Sequence, residues 1–365
     1  MTLSLDWSAC VRTRSRAAAC KACVDACPAG AISLGGPRAS VKVELATCTS
    51  CGQCQPVCPT NAFSGVVDVG AFVAASGPAL ACAPSFCLAS LSTEDFVSLA
   101  LKHGAVTVDG AGCEACRATR AVVAERVEQA NAFVSAAGFD GRLVVSVKPK
   151  VREPAPPPAP VPPPVAASRR ALLRRFVPGI VEEAVTKAPL ALTPMGKGSV
   201  EPSKLKDRPL PAHRARLLTA LAQATPVRPP DALDQGQVDF SSSKVLNLTT
   251  CTGCMQCVSA CPTAALTASR AQDSIHFDTS RCVKCRTCHD VCEPGALTVN
   301  RRFETSEFLS LKPVLLGQFT VKDCAECGAR FKYDGGDALC PRCQGHDAEA
   351  RELHGLPPRD PGASA

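Results

Sequence analysis

The sequence is poor in aromatic side chains and in long apolar runs. Aromatic residues make up only 4% of the chain, with one tryptophan, Trp7, and one tyrosine, Tyr333. Residues 65–91 form the longest mainly apolar stretch, but aspartate, glycine and proline interrupt it, so we expect no membrane span. With so few large side chains, a small module of this chain has little material for an apolar core and needs another source of stability.

Several kinds of active site are also missing. The chain has no glycine-rich phosphate loop after a predicted strand and no serine–histidine–aspartate combination. Its six histidines are scattered, and none has the spacing of a zinc protease. Residues 1–10 lack the charged start and apolar core of an export signal, so we expect a cytoplasmic protein. The net charge of +7 comes without stacking aromatics or a reading helix, which argues against nucleic acid as a partner.

Cysteine, by contrast, is abundant, with 24 residues that fall mostly in C-x-x-C pairs. Without an export signal, we interpret these thiols as metal ligands in a reducing compartment and not as disulfides. The densest stretch contains two runs of the form C-x-x-C-x-x-C-x-x-x-C. Their members are Cys251, Cys254, Cys257 and Cys261 in the first run, and Cys282, Cys285, Cys288 and Cys292 in the second.

These two runs resemble the two-[4Fe-4S] (dicluster) bacterial-type ferredoxin family. In that family the first three cysteines of a run hold one cluster and the fourth holds the other. A pair of zinc sites is the alternative, but zinc usually takes two cysteine pairs separated by a longer loop. The resemblance therefore implies one site made of Cys251, Cys254, Cys257 and Cys292, and a second made of Cys282, Cys285, Cys288 and Cys261.

Residues 1–64 repeat the ferredoxin pattern with one departure. The later run is complete, but the earlier one has Ala17 where its first cysteine is expected, and Cys10 is the nearest substitute. A nine-residue insert with three arginines separates Cys10 from the next cysteine; we interpret it as a solvated loop or as a docking surface for an acidic partner. A three-iron cluster with Cys10 as a bystander is the alternative to a full cluster. By the same resemblance, we assign one site to Cys10, Cys20, Cys23 and Cys58, and the other to Cys48, Cys51, Cys54 and Cys27.

Residues 65–147 alternate predicted strands and helices, which indicates a small parallel sheet. Strands are predicted at 79–81, 105–108 and 143–147, with helices starting after the cap residue Ser92 and at 117–137. A cysteine pair follows each of the first two strands, and loops after neighbouring parallel strands open on one edge of a sheet. We therefore expect the two pairs to converge, namely Cys82 with Cys87 and Cys113 with Cys116.

This middle segment resembles the delta-subunit family of methyl-viologen-reducing hydrogenases. The matching features are the cysteine pair after the first strand, Gly104-Ala105 before the second, and the Gly-Cys-x-x-Cys loop at 112–116. The resemblance implies an electron-transfer adaptor with a [2Fe-2S] cluster on these four cysteines. A structural zinc is the alternative, because four thiolates satisfy either centre.

The remaining segments complete the predicted organisation. Residues 148–240 are predicted to be a proline-rich basic linker, mostly disordered, which would let the two ferredoxin heads move independently. Within it, Ser168-Arg169-Arg170 looks like an export motif, but its position favours a short docking helix or disorder. Residues 241–303 form the second dicluster module and 349–365 a disordered tail. Residues 318–348 have the pattern of a zinc ribbon, with rubredoxin-type iron as the alternative, on Cys324, Cys327, Cys340 and Cys343.

The sequence therefore predicts an α+β multi-domain protein with two ferredoxin-like dicluster modules, a small α/β parallel-sheet domain between them, and a C-terminal zinc ribbon. This interpretation uses every cysteine as a ligand and leaves none for nucleophilic catalysis. We expect an electron carrier and not an enzyme, acting as a wire or adaptor for subunits of a formate dehydrogenase- or hydrogenase-type complex, by analogy. The alternatives are a maturation or assembly factor for a metalloenzyme, and a zinc-ribbon regulator that binds nucleic acid.

Overall fold

The structure, a computed structural model, describes residues 3–35, 40–83, 86–110, 117–146 and 207–357. Cys113, Cys116 and the Ser168-Arg169-Arg170 segment lie outside the described residues. Chain on both sides of the 147–206 gap belongs to one compact unit, so the expectation of two independently moving heads is wrong. In the part of the chain that the structure describes, no helix is long and apolar enough to cross a bilayer.

The first cysteine-rich module (module 1) consists of short elements. In chain order they are β1 Ser4–Leu5, α1 Val11–Arg14, α2 Ala22–Asp25, β2 Ile32–Gly35, β3 Ser40–Val43, α3 Cys54–Val57 and β4 Phe63–Ser64. Strand β1 pairs with β4 and β2 pairs with β3, both antiparallel. The first and last strands of the module therefore lie side by side, and the cysteine loops lie between the strand pairs along the chain.

The middle domain contains the predicted parallel sheet. Its elements are α4 Val69–Ala75, β5 Ala79–Ala81, α5 Thr93–His103, β6 Ala105–Asp109, α6 Arg117–Ala136 and β7 Arg142–Ser146. The sheet has the order β5-β6-β7, with all three strands parallel. Helix α5 begins as the sequence predicts, because Ser92 and Asp95 form a reciprocal capping box.

Residues 207–240 are not part of a disordered linker, which corrects the sequence-based boundary at 240. They contain α7 Ala212–Gln223 and β8 Leu233–Asp234. Leu217 and Leu221 are spaced one helical turn apart and are buried in the same core as α5 and α6. The high proline and arginine content of this segment favoured a prediction of disorder. Its short apolar helix face, which packs in the core, was outweighed by that composition.

The second cysteine-rich module (module 2) repeats the pairing seen in module 1 and adds a strand. Its elements and those that follow are β9 Lys244–Leu246, α8 Gln256–Ala260, β10 Leu266–Ala268, β11 Ser274–Phe277, α9 Thr287–Asp290, β12 Leu297–Val299, β13 Arg302–Phe303, α10 Thr305–Ser310 and β14 Val314–Gln318. Strand β9 pairs with β12, and β10, β11 and β14 form a three-stranded antiparallel sheet. The sequence had left β14 unassigned.

The C-terminal elements are β15 Val321–Asp323, β16 Arg330–Lys332 and α11 Pro341–Leu353. The two strands form an antiparallel hairpin. Helix α11 continues past residue 348, so the first residues of the predicted disordered tail are helical. The hairpin and the helix start carry the last four cysteines of the chain.

The few phenylalanines of the chain are concentrated in one apolar core. Phe133 of α6 contacts Phe240, Phe303 and Phe308 at centroid distances of 5.1–6.4 Å. These four rings come from the middle domain, from the segment after the gap and from the residues beyond module 2. The low aromatic content therefore does not mean that an apolar core is absent, because distant segments pool their aromatic side chains in one place.

Candidate metal centres

Three of the four ferredoxin-like cysteine loops share one backbone conformation. In each, the residues two and four positions after the first cysteine are left-handed, with φ between 50° and 74°. The first loop, which contains the insert, has no such residue among its described positions. Successive N–H groups in alternating conformations form a concave surface that suits an anion such as a cluster sulfide. The left-handed pairs are Ser50 and Gly52, Gly253 and Met255, and Lys284 and Arg286.

The fourth cysteine of each run also lies in a repeated turn. The residue three positions later is left-handed in all four runs: Gly30, Asn61, Ala264 and Gly295. In module 1 this turn directs the next backbone N–H at the sulfur. Ala31 donates to Cys27 Sγ and Ala62 donates to Cys58 Sγ, each at 3.2 Å. Such N–H···S bonds favour a thiolate over a thiol and thus favour metal ligation.

In module 2, one group of thiols lies around Cys257. The pKa of Cys257 is raised to about 12, mainly by burial and further by the neighbouring Cys254, Cys251 and Cys292. Cys292 belongs to the second run, yet it lies beside the first three cysteines of the first run. Four converging thiols that oppose one another's ionisation form a site in which a bound metal would stabilise the thiolates.

The other group in module 2 lies around Cys285 and Cys288. The pKa of Cys285 is raised to about 12, mainly by burial, with further contributions from Cys282 and Cys261 that the hydrogen bonds from Thr287 partly offset. The pKa of Cys288 is also raised, first by burial and then by Cys282, Cys285 and Cys261. The fold therefore brings Cys261, the last cysteine of the first run, to the three leading cysteines of the second run.

A buried ammonium group lies next to this second site. Lys244 Nζ donates to Ser242 Oγ at 2.9 Å, and Ser242 Oγ is 3.5 Å from Cys282 Sγ. Burial alone would raise the pKa of Cys282, but Lys244, the Ser242 hydroxyl and the Lys284 N–H outweigh it, so the pKa is lowered. His289 Nε2 contacts the same ammonium at 2.8 Å.

Module 1 places Cys10 where module 2 places Cys251. Asp6 N–H donates to Ala62 O at 2.8 Å, and Asn247 N–H donates to Ala296 O at 2.9 Å. Asp6 and Asn247 each lie four residues before the cysteine concerned. Each also accepts, through its side-chain Oδ1, from the N–H two residues ahead. The backbone that carries Cys10 is thus built like the backbone that carries a first cysteine in module 2.

The thiols of module 1 group as the sequence predicts for one site. The pKa of Cys23 is raised to about 12, mainly by burial and in part by Cys58, Cys20 and Cys10. Cys10 is thus close to the other three predicted members of its site. For the other site, the pKa of Cys54 is raised to about 12 by burial and then by its neighbours, which include Cys51 and Cys48. The assignment of Cys27 to this site remains a prediction.

Replacement of Cys10 tests whether it is a ligand. We expect Cys10→Ala to lose about one iron per chain if a three-iron cluster remains, or about four if the whole cluster is lost. Cys251→Ala is the matched control, because it removes the cysteine at the corresponding position of module 2. Iron analysis with EPR spectroscopy measures both variants. A Cys10→Ala chain with the iron content and spectrum of the unmodified protein would contradict the assignment.

In the middle domain, only half of the predicted four-cysteine site is described. Cys82 directly follows β5, and the N–H of Leu88 donates to its sulfur at 3.4 Å. Ala81 is in register with Asp109 across parallel strands, so the chain leaves both strands at the same sheet edge. Convergence of Cys82 and Cys87 with the two cysteines outside the described residues therefore remains a prediction.

The last four cysteines form a compact group. The sulfurs of Cys324, Cys327, Cys340 and Cys343 all lie within 4.8 Å of one another. The Cys327 and Cys340 sulfurs are 3.7 Å apart, and a tetrahedron of Zn–S bonds of about 2.3 Å has edges of about 3.8 Å. Backbone N–H groups of residues 327 and 340 lower the pKa of Cys324 to about 6. This donor set fits a tetrahedral metal ion.

Comparison with protein families agrees with the two ferredoxin-like modules. Residues 18–62 and residues 250–296 each match the 4Fe-4S dicluster domain. The first match begins after Cys10, so that cysteine lies outside the family pattern. No curated protein matches the chain significantly. Two dicluster domains of this kind support iron–sulfur binding and a role in electron transfer.

Some residues around these sites carry no signal that a sequence pattern could detect. Ser242 and Lys244 precede the cysteine runs of module 2, and Asp290 occupies a non-cysteine position within the second run. Lys244 reaches the site because β9 pairs with β12, and Asp290 reaches module 1 because the two modules pack together. Arg214 lies in the segment that was predicted to be a linker, and it is fully buried.

Proposed function

We propose that this chain is an electron-transfer protein that carries four [4Fe-4S] clusters and serves as a wire or adaptor subunit of a redox-enzyme complex. The left-handed residues that recur in three of the four cysteine loops are the observation that carries the proposal, because alternating conformations of this kind form a concave surface of N–H groups that suits a cluster sulfide. The two matches to the dicluster domain support the same conclusion. The cysteines are used as ligands, which leaves the chain without an evident catalytic nucleophile.

We assign the sixteen cluster ligands as the crossed ferredoxin pairing predicts. A bound [4Fe-4S] cluster supplies reversible one-electron chemistry at each site. The chain's own residues bind each cluster through four thiolates, donate N–H groups to the ligand sulfurs and exclude water by burial. These three contributions are the means by which a protein adjusts a reduction potential. Cys10, Cys20, Cys23 and Cys58 would hold the site of module 1 that contains the insert.

The finer assignments belong to the same proposal. We propose a [2Fe-2S] cluster for Cys82, Cys87, Cys113 and Cys116, supported by the resemblance to hydrogenase delta subunits. Zinc is proposed for the last four cysteines, whose spacing around the hairpin is typical of a structural ribbon. A formate dehydrogenase- or hydrogenase-type enzyme in the cytoplasm is the proposed context, and it rests on analogy.

Metal analysis of the purified chain tests the proposed function. After anaerobic reconstitution we expect about sixteen irons per chain from the four ferredoxin-type sites, with more if the middle site holds iron. Broad visible absorption should bleach when dithionite is added, because the clusters accept electrons. A Cys48→Ala, Cys51→Ala chain is the control and should lose about four irons. A folded, colourless protein that contains only zinc would refute the proposal.

A further inference from the structure

The insert between Cys10 and Cys20 ends in a direct contact with module 2. The backbone N–H of Ala19 donates to Oδ2 of Asp290 at 2.9 Å. Ala19 immediately precedes Cys20, and Asp290 is the last residue of α9, midway between Cys288 and Cys292. The contact therefore joins a proposed ligand of module 1 to the helical turn that links the two sites of module 2.

Neighbouring interactions hold this contact in place. Arg12, within the insert, donates to Cys20 O at 3.0 Å and thereby ties the start of the insert to its end. Arg208 donates to Val258 O at 2.9 Å and to Ser259 O at 3.0 Å in module 2. The departure from ferredoxin spacing in the first run thus ends at a residue that contacts module 2.

A cavity of about 650 Å³ lies beside the contact. Cys20 and Cys285 both line it, so a site of module 1 and a site of module 2 approach the same space from two sides. Electron tunnelling decreases more steeply through an open gap than through bonded atoms. The Ala19–Asp290 hydrogen bond crosses between the two modules at the wall of this cavity.

We propose that electrons pass between the two ferredoxin modules through the Ala19–Asp290 contact, so that the four sites work in series. This inference rests on the proposed function. In each transfer one electron leaves the reduced centre that Cys20 would hold and reduces the centre that Cys285 would hold. The first centre is thereby oxidised. Transfer in the opposite direction balances in the same way. No proton or atom is transferred.

The proposed series of four sites has one end in module 1 and the other in module 2, and a different domain lies next to each end. At the module 1 end, Ser90 Oγ donates to Cys51 O at 3.1 Å, and Ser90 lies three residues after Cys87 of the proposed middle site. At the module 2 end, Lys332 Nζ of β16 donates to Leu248 O at 2.7 Å, and Leu248 lies three residues before Cys251. The middle domain and the C-terminal ribbon therefore flank opposite ends, where electrons would enter and leave.

Magnetic coupling between the modules provides the first test. In the fully reduced, reconstituted chain, we expect the EPR signal of module 1 to relax faster because a reduced centre lies nearby in module 2. Removing the nearer module 2 site with Cys282→Ser and Cys285→Ser should slow that relaxation. Removing the farther site with Cys251→Ser and Cys254→Ser should leave it nearly unchanged.

The rate of electron redistribution after flash photoreduction tests the contact itself. We expect Asp290→Ala to slow redistribution several-fold, while Asp290→Asn, which keeps an acceptor oxygen, retains most of the rate. Asp25→Ala is the matched control, because Asp25 lines the same cavity but pairs with Lys21 inside module 1. An unchanged rate in Asp290→Ala would overturn the assignment of the path.

The outcomes separate this inference from the proposed function. A chain that loads iron and is reduced by dithionite, but whose module 1 signal is indifferent to module 2, overturns the inference and leaves the proposed function intact. A chain that fails to load iron removes the proposed function and the inference with it. Iron content of every variant is measured first, so that loss of a cluster is not mistaken for loss of coupling.

Discussion

Replacing Arg214 with methionine is expected to lower the free energy of unfolding by about 3–5 kcal/mol, the usual loss when one partner of a buried ion pair is removed. Arg214 has no exposed surface. Its guanidinium bonds Glu94 of the middle domain and the carbonyl oxygens of Ser280 and Phe240. Arg214 therefore ties the middle domain to module 2 through one side chain.

The expected loss of stability is large because replacing Arg214 leaves the buried carboxylate of Glu94 without its guanidinium partner. His213 Nε2 stays 3.2 Å away from that carboxylate. Arg214 also lies over the Phe240 and Phe308 rings, at 5.7 and 5.2 Å from their centroids, so packing is lost together with charge.

Urea unfolding of the reconstituted chain measures this effect, with two comparison variants. Arg216→Met removes the partly exposed partner of Asp95 and should cost only about 1 kcal/mol. Adding Glu94→Gln to Arg214→Met should recover part of the stability, because no buried charge then lacks its main partner. If the single variant Arg214→Met unfolds at the same urea concentration as the unmodified protein, Arg214 does not hold the unit together.

Replacing Lys244 with methionine should lower the reduction potential of the site formed by Cys261, Cys282, Cys285 and Cys288. Reduction adds negative charge, and a buried ammonium stabilises that charge. The hydrogen-bond chain through Ser242 places Lys244 Nζ within about 6 Å of Cys282 Sγ, where unit charges interact by about 2–3 kcal/mol at an effective dielectric constant of 20. For one electron this corresponds to a shift of about 90–130 mV.

A redox titration monitored by EPR measures the shift. Lys322→Met is the control, because Lys322 lies over the Tyr333 ring at 3.6 Å and not beside a cysteine of the ferredoxin sites. Module 1 provides an internal comparison, because Leu3 stands seven residues before Cys10, as Lys244 stands seven residues before Cys251. We therefore expect the two modules to differ in potential. A Lys244→Met titration identical to that of the unmodified chain would show that the ammonium does not adjust the site.

The local conformation of the cysteine loops could be predicted well from the sequence. The spacing of the cysteines from Cys251 to Cys261 determines how a short loop can surround a single metal centre. This spacing depends only on residues that are close together in the chain. The start of α5 was predicted for a similar reason, because Ser92 and Asp95 satisfy each other across three residues. Cys10 was the harder case, and the repeated backbone register around Asp6 and Asn247 now supports it as a ligand.

The segment at 207–240 was predicted wrongly because its composition outweighed its periodicity. Proline and arginine are abundant there, yet Leu217 and Leu221 form a face that only α5 and α6 can cover. Arginine side chains are rarely fully buried in proteins, so the burial of Arg214 could not be expected from its residue type. Its burial is stable because Glu94 and backbone carbonyl groups bond the guanidinium. No local sequence pattern indicates these partners, because they lie 26 to 120 residues away.

The sequence by itself determined where the two dicluster domains lie and which four cysteines group near the C-terminus, since ligand spacing is a local property. It also determined the parallel sheet of the middle domain, through alternating strands and helices. Only the tertiary structure decided that the two modules share one compact unit, that Asp290 contacts Ala19, and that Lys244 lies beside Cys282. These features depend on packing between residues far apart in the chain, and the free energy of such packing is spread over many weak contacts that no short motif records.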